Sequence, residues 1–316
     1  MTRSEVLVAR EVGEIWDEAP VWPGGCRTRL LEGEEPLPSS KRVVALIPLL
    51  SRPIGWAEME KLPGLRIVAN YAVGVDNIDL SAAAARGIIV TNTPGVLTEA
   101  TADLTWALLL ASARRLREGL ELTLSGRWGG WEPGQLLGLD LQGRNLGILG
   151  AGRIGAAVAR RAAGFGLRVV YWSRRASSVL ETEVGASRIP TLSEILEESD
   201  IVSVHLPLTR STQGLLGPEE LARMKKGSIL VNTARGEIVD LDALAEALRD
   251  GPVAAAGLDV YPEEPCIPAE LRAMPNAALL PHLGSATLRA RQAMWQLARD
   301  NVRRVLAGEA PLTPVG

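Results

Sequence analysis

Short apolar runs recur along the chain, separated by amphipathic stretches of helical period. Leu7-Val8-Ala9, Val43-Val44-Ala45-Leu46-Ile47, Arg66-Ile67-Val68-Ala69-Asn70 and Ile88-Ile89-Val90 read as buried strands. Trp56 to Lys61, ending before Pro63-Gly64, and Leu80 to Arg86 read as helices between them. Strands alternating with helices at this spacing predict a parallel sheet. Pro20 to Pro38 is rich in Pro and Gly and reads as a loose segment. From Thr98 to about Leu124 one long helix is expected, apolar at Leu104, Ala107, Leu108, Ala111 and Leu116. That face is broad for a surface helix and points to packing against another domain or subunit. Gly126 to Gly138 reads as a loop carrying Trp128 and Trp131.

A second α/β series follows. Its strands are Leu146 to Leu149, Arg168 to Trp172, Ile201 to Val204, Ser228 to Val231, Val253 to Leu258 and Ala278 to Leu280. Its helices are Arg153 to Ala162, Leu192 to Glu198, Glu219 to Met224 and Leu241 to Arg249. A final helix is expected from about Ser285, behind a Ser/Thr-rich cap, to Leu306 before Gly308. The pattern predicts two α/β domains joined by long helices, with a cleft between.

The sharpest local signal is Gly147-Ile148-Leu149-Gly150-Ala151-Gly152-Arg153-Ile154-Gly155, where a buried strand turns into a helix. Gly150, Gly152 and Gly155 occupy the G-x-G-x-x-G positions of a dinucleotide fingerprint. Gly150 makes the tight turn, Gly152 lets a pyrophosphate approach the backbone, and Gly155 lets the helix lie on the strand. The helix start, with Arg153 and Ile154, offers N–H groups and a dipole that favour a diphosphate. The fingerprint falls mid-chain, so it marks a cofactor domain inserted into a first domain that the last helix completes.

Composition narrows the partners. The 316 residues carry a formal net charge of −3, 47% apolar and 22% charged residues, which argues against a nucleic-acid or basic membrane-surface protein. No apolar run reaches the roughly 18 to 20 residues of a membrane span, and nothing from Met1 to Arg10 resembles a signal peptide. Two cysteines, Cys26 and Cys266, are too few for a disulfide framework or a four-ligand zinc site. A reduced, cytoplasmic setting and no metal are expected.

Only two histidines exist, and both His205 and His282 lie just past a strand, where open α/β sheets bind ligands. Arg235, in Val231-Asn232-Thr233-Ala234-Arg235-Gly236, and the acids of Gly257-Leu258-Asp259-Val260-Tyr261-Pro262-Glu263-Glu264-Pro265 also follow strands. Arg, Glu and His after successive strands can converge on the reactive end of a cofactor. A guanidinium holds a carboxylate bidentately and polarises an adjacent carbonyl. A carboxylate beside an imidazole keeps a proton available near neutral pH. Reduction of a 2-oxo acid needs such an anchor and proton donor, together with a hydride source.

With GAGRIG, NTARGEIVD, GLDVYPEEP and PHLGSAT in this order, the chain resembles the D-isomer-specific 2-hydroxyacid dehydrogenases, and among them the glyoxylate/hydroxypyruvate reductase branch. The resemblance implies a flavodoxin-like substrate domain, 1–97 plus 288–316, and a Rossmann cofactor domain, 98–287. It makes Arg235 the ligand of the substrate carboxylate and carbonyl, His282 the general acid/base and Glu264 its partner, with Glu263 excluded because the family's acid directly precedes the proline. The N–H groups of Val73 and Gly74 would hold the substrate carboxylate, and Ser285 could reach the substrate's far hydroxyl. The cofactor site it implies takes in Thr98, His205, Pro207, Thr233, Ala234 and Asp259, the last accepting from the carboxamide. Trp131 matches the tryptophan that reaches the active site from a partner subunit in the reductase branch, which implies a homodimer and a small substrate.

The strand Arg168 to Trp172 ends in Ser173-Arg174-Arg175, with no acid before Glu181. NAD sites usually carry an acid about 20 residues past the glycines to hold the ribose 2′-OH. A serine and two guanidiniums suit a 2′-phosphate instead, so NADP(H) is expected to be preferred, with NAD(H) usable. Glyoxylate and hydroxypyruvate are the expected substrates. A 3-phosphoglycerate dehydrogenase shares these motifs but often adds a C-terminal regulatory domain, which is not expected in a chain ending about ten residues past its last helix. A nucleotide-sensing binding protein on the same scaffold is the alternative of another class.

Overall fold

A computed structural model describes residues 3–13, 15–16, 19–33 and 35–315; Met1 and Thr2, at the start of the N-terminal stretch considered above, lie outside them. The chain divides into two compact units, 1–97 with 286–316, and 98–285. The first unit carries β1 (Glu5–Ala9), α1 (Arg10–Gly13), β2 (Arg27–Leu31), β3 (Val43–Ile47), α2 (Trp56–Glu60), β4 (Ile67–Ala69), α3 (Leu80–Ala85) and β5 (Ile89–Thr91). Its strands form a parallel sheet in the order β2-β1-β3-β4-β5.

The second unit begins with α4 (Thr98–Ala113) and α5 (Leu116–Leu124), then β6 (Asn145–Leu149) and α6 (Arg153–Ala162). It continues through β7 (Arg168–Trp172), α7 (Ser178–Glu183), β8 (Ser187–Arg188), α8 (Leu192–Glu198), β9 (Ile201–Val204) and α9 (Pro218–Ala222). It closes with β10 (Ser228–Asn232), α10 (Leu241–Arg249), β11 (Val253–Leu258), α11 (Ala269–Ala273) and β12 (Ala277–Leu279). All seven strands are parallel, in the order β12-β11-β10-β9-β6-β7-β8. The chain then returns to the first unit as α12 (Leu288–Leu306).

The central strands bury both faces, as parallel strands under helices must. Every residue of β9 and β10 is buried. β6 lies where the strand order reverses, with β7 on one side and β9 on the other, so the loop after it opens at the crevice where such sheets bind ligands. α6 lies tight on the sheet through buried Ala156, Ala157, Val158, Ala159 and Ala162. In the first unit, Trp16 stacks on Trp295 of α12 with ring centroids 4.9 Å apart.

Three expectations are corrected. The helix expected over Thr98 to Leu124 is broken: Arg115 sits at φ 52°, in the left-handed region, and starts α5 on a new axis. The loose segment Pro20 to Pro38 contains the edge strand β2, pinned by its pairing with β1. The last helix, expected from about Ser285, starts at Leu288, where Thr287 of the Ser/Thr-rich segment caps it by accepting from Ala290 N–H at 3.2 Å.

Candidate active site

The fingerprint turn has the steric form its glycines require. Gly150 adopts φ 106°, and a Cβ there would lie 2.6 Å from the His205 carbonyl oxygen. A Cβ on Gly155 would lie 2.2 Å from the Gly150 carbonyl oxygen. Gly152 faces open space, with nothing within 4 Å of a Cβ position. Exposed Gly152 and Arg153 and half-buried Ile154 thus sit at the free start of α6. A crowded turn with one bare, exposed residue at a ten-residue helix start is a cradle for the diphosphate of a dinucleotide, so these residues fit the cofactor.

Arg235 follows β10 on a turn tied by Asn232. The Asn232 side chain accepts from Ala234 N–H at 3.0 Å and donates to the Arg235 carbonyl at 2.8 Å. Arg235 Nη1 donates to the Ala234 carbonyl at 2.7 Å. A Cβ on Gly236 would collide with the Tyr261 carbonyl carbon at 2.0 Å, so Gly236 lets the Arg235 turn lie on the loop that carries Glu264. Thr233 is buried, its hydroxyl 2.8 Å from that of Thr105.

Glu264 follows β11. Its Oε1 accepts from Tyr261 N–H at 3.1 Å, and its Oε2 lies 2.8 Å from His282 Nδ1. Burial pushes the Glu264 carboxyl up, but the His282 hydrogen bond and charge, the Tyr261 N–H and the Arg235 charge together hold it below its ordinary value. Tyr261 is itself locked, its hydroxyl donating to the carbonyls of Leu258 and Leu280 at 3.2 and 3.0 Å.

His282 follows β12 at φ 55°, a left-handed conformation uncommon outside glycine. Asp259 holds it there. His282 N–H donates to the Asp259 carbonyl at 2.9 Å. The Asp259 carboxylate takes the N–H groups of Leu283 and Gly284 at 2.7 and 2.8 Å. Asp259 is 1% exposed, and burial raises its pKa against the pull of those N–H groups and of His282. Asp259, expected to accept from the carboxamide, thus also shapes the His282 turn with both carboxylate oxygens. Thr101 of α4 closes the arrangement by donating to the Gly284 carbonyl at 3.0 Å.

His205 continues the sheet beyond β9, its N–H donating to the Leu149 carbonyl at 2.7 Å. Its Nε2 lies 2.8 Å from the hydroxyl of buried Ser203, and burial lowers its pKa to about 3. It is therefore neutral at physiological pH. Exposed Pro207 stays on the same loop, its carbonyl accepting from Thr212 at 2.7 Å. Ser173, Arg174 and Arg175 follow β7, and the Ser173 hydroxyl donates to the Arg175 carbonyl at 2.5 Å. Half-buried Thr98 opens α4, and half-buried Ser285 ends the second unit. Trp131 is 80% exposed on the loop after α5.

The second unit therefore brings Arg235, Glu264 and His282 to neighbouring strand ends. Val73 and Gly74 belong to the first unit. There the carbonyls of Ala72, Val73 and Gly74 accept from Thr93 N–H, the Asn92 amide and the Asn70 amide, each at 2.8 Å, which fixes the turn. Asn232, Gly236 and Tyr261 shape the site from within the NTARGEIVD and GLDVYPEEP segments, where residue type alone does not mark them. Among the described residues no cluster of His, Cys, Asp and Glu could hold a metal ion.

A dinucleotide cradle beside an Arg, Glu and His on successive strand ends defines a nicotinamide-dependent oxidoreductase site. The family model of the D-isomer specific 2-hydroxyacid dehydrogenase NAD binding domain matches residues 106–284. Glyoxylate reductase of Thermococcus kodakarensis is 49% identical over 302 residues, covering 94% of this chain and 90% of that one. Glyoxylate reductase of Aeropyrum pernix is 45% identical over 329 residues, covering 98% and 95%. The NADPH-dependent glyoxylate/hydroxypyruvate reductase of Sinorhizobium meliloti, solved with NADP and malonate, superposes with a TM-score of 0.89 at 37% identity, covering 100% of this chain and 97% of that one. The chain belongs to the D-isomer-specific 2-hydroxyacid dehydrogenase family. It binds a nicotinamide cofactor and is an oxidoreductase.

Proposed function

We propose that the protein reduces a small 2-oxo acid, glyoxylate or hydroxypyruvate, to the D-2-hydroxy acid with NADPH in preference to NADH. The carrying observation is the contact of His282 Nδ1 with a carboxylate that is itself held ionised. An ionised carboxylate only accepts, so Nδ1 carries the hydrogen and Nε2 is left to exchange a proton. When bound, the nicotinamide supplies the hydride to the carbonyl carbon. Arg235 binds the substrate carboxylate by charge-assisted bonds and polarises the adjacent carbonyl. Protonated His282 gives its Nε2 proton to the carbonyl oxygen as charge develops there, and Glu264 stabilises the imidazolium until then. To the first unit this reading gives the Val73 and Gly74 N–H groups as donors to the carboxylate.

The cofactor preference rests on Ser173, Arg174 and Arg175: no acid follows β7 before Glu181, and a serine with two guanidiniums suits a 2′-phosphate. A homodimer is supported by α5, which leaves Leu116, Leu120 and Leu124 on one face, 49%, 62% and 85% exposed. Trp128 and Trp131 follow it, also exposed, and an apolar arm of this kind marks an interaction surface. Trp131 is then a wall of the partner subunit's substrate site that rejects bulky acids. Two free thiols and the absence, among the described residues, of any helix long and apolar enough to cross a membrane fit a cytoplasmic setting. Steady-state rates for a panel of 2-oxo acids with each cofactor test the proposal. Highest kcat/KM for glyoxylate or hydroxypyruvate with NADPH supports it; turnover of bulky acids only, or with NADH only, contradicts it.

A further inference from the structure

Arg188, on the two-residue edge strand β8, has no part in the site as described so far. Its Nη2 donates to the carbonyl of Ser173 at 2.9 Å and to that of Arg174 at 3.2 Å. Those are the first two residues after β7, and β8 pairs with β7 in parallel register, Arg188 beside Tyr171. One guanidinium thus gathers two carbonyls of the Ser173–Arg175 turn and leaves its other N–H groups for another acceptor. Carbonyls directed onto Arg188 are directed away from any anion on the turn, where their partial negative charge would repel it.

A second feature works in the same direction. The first acid after β7, Glu181, receives the hydroxyl of Tyr171 at 2.5 Å. That hydroxyl also accepts from Ser177 N–H at 2.9 Å. That carboxylate is therefore tied to the far end of the loop by a tyrosine whose ring is fully buried. Among the described residues no carboxylate pairs with Arg174, Arg175 or Arg188. Exposed Arg174 and Arg175 stand on the turn and exposed Arg188 is bonded to it from β8, a run of positive charge that favours an anion.

We propose that Arg188 is a positioning residue for cofactor choice: it shapes the Ser173–Arg175 turn and adds a third positive charge, so that the turn accepts the 2′-phosphate of NADPH. The proposal rests on the NADPH preference stated above. Calorimetric titration of the wild type, Arg188→Ala and Arg188→Lys with NADPH, NADH, 2′,5′-ADP and 5′-AMP tests it. Loss of hydrogen bonds involving a charged group is expected to weaken NADPH and 2′,5′-ADP about tenfold in Arg188→Ala. NADH and 5′-AMP should change less than about twofold, and Arg188→Lys should recover part of the loss because the charge remains. Equal weakening of all four ligands, or of none, in an enzyme that prefers NADPH overturns the role of Arg188 and leaves the cofactor preference standing. A wild type that binds NADPH and NADH alike overturns both.

Discussion

Nδ1 of His282 lies 2.8 Å from Oε2 of Glu264, and the other oxygen of that carboxylate takes the Tyr261 N–H. The carboxylate is thus oriented before it meets the imidazole, and it fixes which ring nitrogen is left to react. Glu264→Gln preserves the shape and removes the charge. Reduction draws on the imidazolium that the carboxylate stabilises, so loss of the carboxylate should lower kcat/KM for reduction. The rate at neutral pH should drop about tenfold or more. pH–rate profiles of the two proteins check this; superimposable profiles would contradict it.

The glycines of the fingerprint can be separated by function. At Gly155 a methyl group meets the backbone oxygen of Gly150 at 2.2 Å, whereas at Gly152 it meets nothing within 4 Å. Gly155→Ala should destabilise the second unit by about 2 kcal/mol, seen as a Tm lower by several degrees. Gly152→Ala should leave stability within about 1 kcal/mol, its main cost being a poorer helix cap, and should weaken NADPH binding. Thermal melts and cofactor titration distinguish the two; equal losses of stability would be the wrong outcome.

His205 gives a stability prediction with a definite sign. Its pKa is lowered from 6.5 to about 3 by burial, so between those values the unfolded chain binds a proton that the folded one does not. Stability then falls as pH drops through that window, by at most about 1.4 kcal/mol per pH unit. His205→Gln keeps a polar group toward Ser203 without titrating. Denaturant unfolding at several pH values should show the wild type losing more stability than the variant between pH 6.5 and 4. Parallel losses would mean that His205 is not held neutral.

Much of the fold was legible because apolar runs and caps agree locally. α6, β7, α8, β9, α10 and β11 have the bounds that their patterns predict. The failures have physical causes. β2 is an edge strand, Arg-Thr-Arg-Leu-Leu, buried only at its last residue, and the pairing with β1 that makes it a strand is non-local. The break at Arg115 carries no glycine, because an arginine is held in the left-handed region and its guanidinium is paired with Glu118. β8 has only two residues. For the site, residue types and order singled out Arg235, Glu264 and His282. The use of Asp259 as a clamp on backbone N–H groups, the approach of Gly236 to the Tyr261 peptide, and the Arg188 contacts arise from packing across loops distant in sequence, which no local pattern encodes.

In the proposed mechanism His282 delivers the proton to the carbonyl oxygen of the substrate. Asn tolerates the left-handed backbone that His282 adopts, so His282→Asn removes the imidazole with little strain. Turnover of hydroxypyruvate with saturating NADPH, measured beside calorimetric NADPH binding, separates this role from a structural one. The expected result is a fall in kcat of about a hundredfold or more, with the NADPH dissociation constant within about twofold of the wild type. Turnover retained at near wild-type rate in a variant that binds NADPH normally would contradict it.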